Sequence, residues 1–374
     1  MKHTVTMLLR AVLLAALAGC TVTDLKQKEW EMSQGLKREG GKVWIEGVKG
    51  WFCGEKESSV HAAQEAVMQA VGENITYEYL VGVSGLAFRM QVSKQGFCPS
   101  SPHLFCGYQC VARSVKALPW SVKVFEAKPE DNEKVKAARR AIVESIDRGV
   151  PVQYGSEEDG VIVGYQKNGD EWICLHPYRE GGKKTFVETK WPWGIAVFTE
   201  RKKGMPSRRE LALGALQQAV KMAKTEETGN YFVGLKAWDN YLQKLKALEQ
   251  ADEKARKDAM QGNAWIYECL AQYRGVASQY LRDVAGEFDA PAAQHLRKAA
   301  DLYGRMSDDV LRDKEHCVVT IAPYPWALKE GKSWTSEIRQ EQIRRLEAAL
   351  PIEREAIAEI EKALALTGTP ANAE

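Results

Sequence analysis

The side chains of this chain best equipped for chemistry are thiols and imidazoles. Among 374 residues there are eight cysteines and six histidines. A cysteine can bridge to a partner, hold a metal, or attack as a thiolate. Cys98, Cys106 and Cys110 cluster with His103 between them. These are metal-ligand types, but their spacing is not a usual zinc pattern, and neither a metal nor a cofactor is expected. No His-Glu-x-x-His helix, paired carboxylates or nucleotide fingerprint occurs. Gly82-Val83-Ser84-Gly85 lacks the Lys-Ser/Thr end of a phosphate loop and the Rossmann spacing.

The compartment decides what most of these thiols do. Lys2 and Arg10 flank the start of an apolar run, Met7 to Leu17, which closes on Leu17-Ala18-Gly19-Cys20. A charged start, a short apolar core and small residues at the cut mark a secretory signal. The core is shorter than the roughly 20 apolar residues that span a bilayer. Leu-Ala-Gly-Cys also resembles the lipobox of bacterial lipoproteins. That resemblance implies cleavage after residue 19 and a lipid on Cys20 that holds the chain to a membrane. By the same family's sorting habit, Thr21 points to the outer membrane, facing the periplasm. Loss of Lys2 and Arg10 brings the 52 basic side chains level with the 50 acidic ones, so nothing suggests a nucleic-acid partner. An oxidising compartment makes disulfides the default for the seven remaining cysteines. Cys53, Cys98, Cys106 and Cys110 are candidates, and Cys269 with Cys317 is the expected bridge of the C-terminal half. Seven is odd, so at least one thiol is left over.

Two periodicities organise the elements that would position these groups. Residues 20–41 are polar, end in Gly40-Gly41, and read as a tether. Residues 42–203 mix short β-branched or aromatic runs with two helical ones. Strands are expected at 42–48, 121–126, 150–154, 161–166, 171–175 and 194–199. Helices are expected at 58–71 and 131–148, the second ending at Gly149 as a left-handed cap. Asn168-Gly169-Asp170 is a hairpin turn signal. The turns are too short for crossovers, so the sheet is read as antiparallel. Residues 204–366 carry helical stripes, such as Leu235, Trp238, Leu242, Leu245 and Leu248, and Ser207 with Glu210 forms a capping box. The fold class is therefore α+β, followed by an all-α helical bundle. Residues 367–374 read as a disordered tail. Trp51, Trp172, Trp191, Trp193, Trp326 and Trp334 stand in polar contexts. Such residues line clefts or pack, and packing is the expectation.

The first half resembles a known family. The residues that carry the likeness are Glu57-Ser58-Ser59, the stretch from Tyr77 to Arg89, Ser145 to Val152, and Gly160-Val161-Ile162-Val163-Gly164-Tyr165. In this order they are similar to the papain-like domain at the N-terminus of butirosin biosynthesis protein H. More distantly they resemble the bacteriocin-processing peptidase domain. Val233 to Asp239 and the helix around Tyr280 resemble a helical extension of such proteins. The likeness spans about 45–310 and implies a papain-like fold.

Papain-like catalysis needs a Cys at a helix start, a His base and an Asp or Asn that orients it. Relatives place the Cys where this chain has Lys56, the His where it has Asp159-Gly160, and Asp-Pro where it has His176-Pro177. Two readings follow. In one, the site is rearranged, with Cys53 as nucleophile, His176 as base, Asp159 as orienter and His61 as a second candidate base. Lys56, Glu57, Ser58 and Arg89 would then face the cleft, and the reaction is thiol-based acyl transfer or amide hydrolysis. In the other, which we favour, the module is degenerate and binds a peptide, glycan or protein partner without chemistry. A third class is a structural scaffold, which predicts an exposed apolar face on helices of 205–364. A disulfide at Cys53, a turn role for His176, a solvated helix face for His61 and an ion pair for Arg89 are the plain alternatives.

Overall fold

A computed structural model describes residues 35–52, 54–312, 321–326 and 334–368. The lipid-attachment residue Cys20, Cys53, Cys317 and the tail from 369 lie outside the described residues. In chain order the elements begin with β1 (Leu36–Glu39), β2 (Lys42–Ile45), α1 (Ser59–Ala70), α2 (Tyr77–Ser84), β3 (Gln91–Ser93) and α3 (Val111–Ala117). Next come β4 (Trp120–Phe125), α4 (Asn132–Asp147), β5 (Val152–Gly155), β6 (Asp159–Gln166), β7 (Glu171–Leu175), β8 (Phe186–Glu188) and β9 (Gly194–Arg201). The remainder is α5 (Arg208–Lys224), β10 (Glu227–Thr228), β11 (Tyr231–Val233), α6 (Gly234–Ala247), α7 (Glu253–Val284), α8 (Ala290–Arg305) and α9 (Ser336–Leu366). The chain is thus mixed α+β, with an antiparallel sheet and a helical C-terminal region. No described helix is long and apolar enough to cross a membrane.

Contacts divide the described chain into two units. The first holds residues 35–55, 62–75 and 120–201, and the second holds 56–61, 76–119 and 202–368. The boundary passes through the first turn of α1.

The first unit is built on an eight-stranded sheet in the order β1-β2-β6-β5-β9-β4, with β7 on the other edge of β6 and β8 on β7. Every pairing is antiparallel, and the short turns require it for β1-β2, β5-β6 and β6-β7. The expected strand runs all appear. Gly149 takes φ +74° and delivers the chain from α4 to β5. Asn168 and Gly169 are left-handed in the turn that joins β6 to β7, where Gln166 faces Glu171. Two strands were hidden: β8, only three residues long, and β1, which occupies residues read as tether. Gly40 and Gly41, with φ of +56° and +79°, make the two-residue turn that folds it onto β2. The register aligns Val152, Ile162, Cys174 and Phe186 in one row across the sheet. Ala138, Ile142 and Ile146 of α4 pack on the same core, which also buries Val152, Ile162 and Cys174. Burying each such aliphatic side chain is worth about 1.5–3 kcal/mol.

The second unit is a helical bundle around α7. Four helices are capped by side chains: Ser207 with Glu210 in a full capping box on α5, and Thr76, Asp252 and Thr335 on α2, α7 and α9. The expected stripe of α6 buries Trp238, Leu242, Leu245 and Leu248. Gly82 of α2 lies so close to Tyr280 of α7 that a Cβ there would sit 2.1 Å from the ring. An ion pair is buried in the bundle, where Arg274 of α7 donates to both carboxylate oxygens of Glu353 at 2.7 and 2.9 Å and to the Ala87 carbonyl at 2.8 Å. The region from 204 is not purely helical. β10 and β11 form a hairpin over Gly229-Asn230, and β3, far away in sequence, completes a three-stranded sheet. Its strands have only two or three residues, too few to show a period of two.

Candidate functional site

The candidate site is a cleft of about 240 Å³ in the first unit. Ile162, Cys174 and Phe186 of one row supply side chains to its floor, joined by Tyr154 and Trp172. The loop Trp191-Pro192-Trp193, between β8 and β9, forms a wall. Two bonds hold this loop: the Trp193 N–H donates to the Gly155 carbonyl at 2.9 Å, and the Trp191 indole donates to the Ala127 carbonyl at 2.7 Å. Arg139 stacks its guanidinium 5.5 Å from Trp172 and 5.3 Å from Trp191. Glu157, Arg179, Glu188 and Lys190 carry the charge around the opening. Of the polar-context tryptophans, Trp51, Trp172 and Trp334 pack as expected, whereas Trp193 is 73% exposed and Trp326 52%.

His176 sits at this cleft, 5% exposed, with its ring between Tyr154 and Tyr178. The Tyr178 backbone N–H donates to Nδ1 at 3.2 Å. Nδ1 is therefore the unprotonated nitrogen, and Nε2 carries the hydrogen. Nε2–H faces Ser156 Oγ at 2.9 Å and the Glu158 carbonyl at 3.2 Å. The Ser156 hydroxyl in turn donates to that carbonyl at 2.9 Å. A base must offer a lone pair to the nucleophile and hold its other nitrogen on a carboxylate. Here the nitrogen near the hydroxyl is a donor, and a backbone amide holds the other. Burial pushes the imidazole below its ordinary value, so the ring is neutral. Asp159, the expected orienter, instead accepts from Gln153 Nε2 at 2.8 Å. Burial, aided by the Glu158 charge and opposed by Gln153, pushes its carboxyl up to about 7. Cys174 is the cleft's own thiol. It is buried against the Tyr154 hydroxyl, and its pKa is driven far up, which leaves it protonated and inert.

The other named residues belong to the second unit. Ser58 Oγ lies 2.7 Å from His61 Nδ1. His61 is fully buried, not on a solvated face, its Nε2 has no hydrogen-bond partner, and burial with the Arg89 charge lowers its pKa to about 3. Lys56 places its ammonium 5.6 Å above the Tyr77 ring. The Glu57 and Ser58 amides donate to Gln272 Oε1 and Tyr77 Oη at 2.8 and 3.0 Å. Among the described residues Arg89 has no ion-pair partner, and it does not line the cleft. It donates to the carbonyls of Pro102, His103, Cys106 and Tyr108 at 2.7–3.0 Å, a planar fork gathering the turns of that loop. Cys98, Cys106 and Cys110 are thiols, so the bridges expected among them are not formed. Cys110 is buried beside Gln218, and Cys106 bonds the Tyr231 hydroxyl instead. No three His, Cys, Asp or Glu among the described residues converge as metal ligands. Cys269 is buried on α7, and its expected partner Cys317 lies outside the described residues.

No protein-family model and no curated protein matches this chain. Ser156, Tyr154, Cys174, Arg179 and the 191–193 wall were not singled out as a site by sequence reading. The one usable signal was the Trp-Pro-Trp run, two large rings braced by a proline in an otherwise polar stretch.

Proposed function

We propose that this chain is an envelope lipoprotein, held by a lipid on Cys20, whose first unit is a degenerate papain-like module that binds a ligand without transforming it. The observation that carries the reading is the His176 ring. Its acceptor nitrogen is used by the Tyr178 amide, and its donor nitrogen is turned toward Ser156. A neutral imidazole in that tautomer cannot take a proton from the hydroxyl beside it. The buried, protonated Cys174 adds no second nucleophile. What remains is a concave, aromatic cleft with polar groups at its mouth, the form of a ligand site. The scaffold reading has less support: within 205–364 no described α-helix shows an exposed large apolar side chain.

The test offers fluorogenic amide and ester substrates to the full-length protein and to its Cys53→Ala variant. The expected result is no turnover above buffer by either. Turnover that Cys53→Ala abolishes would overturn the reading in favour of a thiol hydrolase or acyltransferase. The anchor is tested by metabolic labelling with an alkynyl fatty acid, which Cys20→Ser should eliminate.

A further inference from the structure

We propose that the cleft of the first unit takes a saccharide ring, an assignment that rests on the non-catalytic binding reading above. Three observations select this ligand class. The first is Trp193. Its indole is 73% exposed on a loop pinned by the Gly155 carbonyl, so a large apolar face is held rigidly toward solvent at the cleft. A pyranose offers the matching surface, since one of its faces is mostly C–H while its edge carries hydroxyls. Rigid amphipathic rings suit such a ligand because they lose little freedom on binding.

The second observation is the opening. Among the described residues, the side chains of Arg179, Lys190 and Glu157 have no hydrogen-bond or ion-pair partner. Glu188 accepts the amides of Thr189 and Lys190, each at 2.8 Å. Two cations and two carboxylates balance at the mouth, which favours a neutral, hydroxyl-rich ligand over an anion. The floor adds Trp172, whose buried indole N–H has no acceptor.

The third observation is the backbone. Strand-addition of a peptide requires free main-chain donors and acceptors along an edge. β5, β6 and β7, which carry most of the floor, have none to spare, and the floor's one open edge among the described residues is that of β8, three residues long. Tyr154 pairs with Gly160 on one side and Ile195 on the other, and Cys174 with Ile162 and Phe186. The cleft's 240 Å³ also falls below the roughly 300–1,000 Å³ of drug-sized ligand sites, which fits one ring rather than a long segment.

The experiment titrates the full-length protein, in a detergent without a sugar headgroup, with chitotriose, cellotriose, maltotriose and the peptide tri-alanine. Tryptophan fluorescence and calorimetry report binding. At least one saccharide is expected to bind, with Trp193→Ala and Arg179→Ala each weakening it by about tenfold or more. Both side chains are exposed, so the circular dichroism melt of each variant should match the wild type. Saccharide binding that Trp193→Ala leaves unchanged overturns the assignment. So does the absence of any saccharide affinity up to about 10 mM. Binding of tri-alanine alone overturns the saccharide but leaves the binding reading standing. Turnover of a saccharide defeats both.

Discussion

Asp159, the first residue of β6, ties a buried carboxyl to a measurable stability. Its carboxyl is 8% exposed and bonded to Gln153, and burial raises it from 3.8 to about 7. Below 3.8 the group is protonated in both the folded and unfolded chain. As pH rises from there to about 7, the unfolded chain ionises while the folded one stays protonated, so stability falls. Above 7 both forms are ionised and the loss levels off. Each tenfold difference in proton affinity is worth about 1.4 kcal/mol, so the full penalty is about 4 kcal/mol at most. Asp159→Asn keeps an oxygen for Gln153 and removes the titration. The two proteins should be about equally stable near pH 4, and the variant should gain by about 2–4 kcal/mol at about pH 8. Urea unfolding at several pH values, followed by tryptophan fluorescence, measures both curves. Parallel curves, or a variant less stable at high pH, would refute the assignment of a buried, inert carboxyl. A loss at high pH is what an orienter ionised for catalysis would give.

Two further outcomes follow from buried groups. Glu353→Ala strands the Arg274 guanidinium, which is fully buried, and should cost about 3–5 kcal/mol in thermal or urea unfolding. The double change Arg274→Met with Glu353→Leu should recover most of that loss, because no charge is then left unpaired. Native thiol labelling followed by mass spectrometry should modify the half-buried Cys98 and Cys106 well before Cys110 and Cys174, both deeply buried with raised pKa values. Early labelling of Cys174 would contradict the closed floor.

The longer strands of the large sheet were legible because their runs are rich in β-branched and aromatic residues, and because Gly149, Asn168 and Gly169 mark their ends. The capping box at Ser207 was legible for the same local reason. The Leu36–Glu39 strand was not, since Leu-Lys-Arg-Glu carries only one apolar residue and its pairing depends on the Gly40-Gly41 turn. The small sheet failed because β3 and β11 are joined across more than a hundred residues. The cleft was hardest. Tyr154 and Cys174 share a face only once the register of β5, β6 and β7 is set, and no local pattern states that register. His176 drew attention as an imidazole beside a proline, but its tautomer is decided by one backbone amide, which only the turn to Tyr178 brings into place.

The place of β9 has a consequence for synthesis. It lies between β5 and β4, and β4 has no other partner in the sheet. Residues 126–193 separate β4 from the strand that pairs with it, so β4 must wait unpaired while the chain is made. A product ending before Gly194 would leave β4 orphaned and one edge of β5 open, two templates for pairing with a neighbouring copy. Completion of this sheet is an event of the last strand, and until then its hydrogen bonds are open to a chaperone or to aggregation.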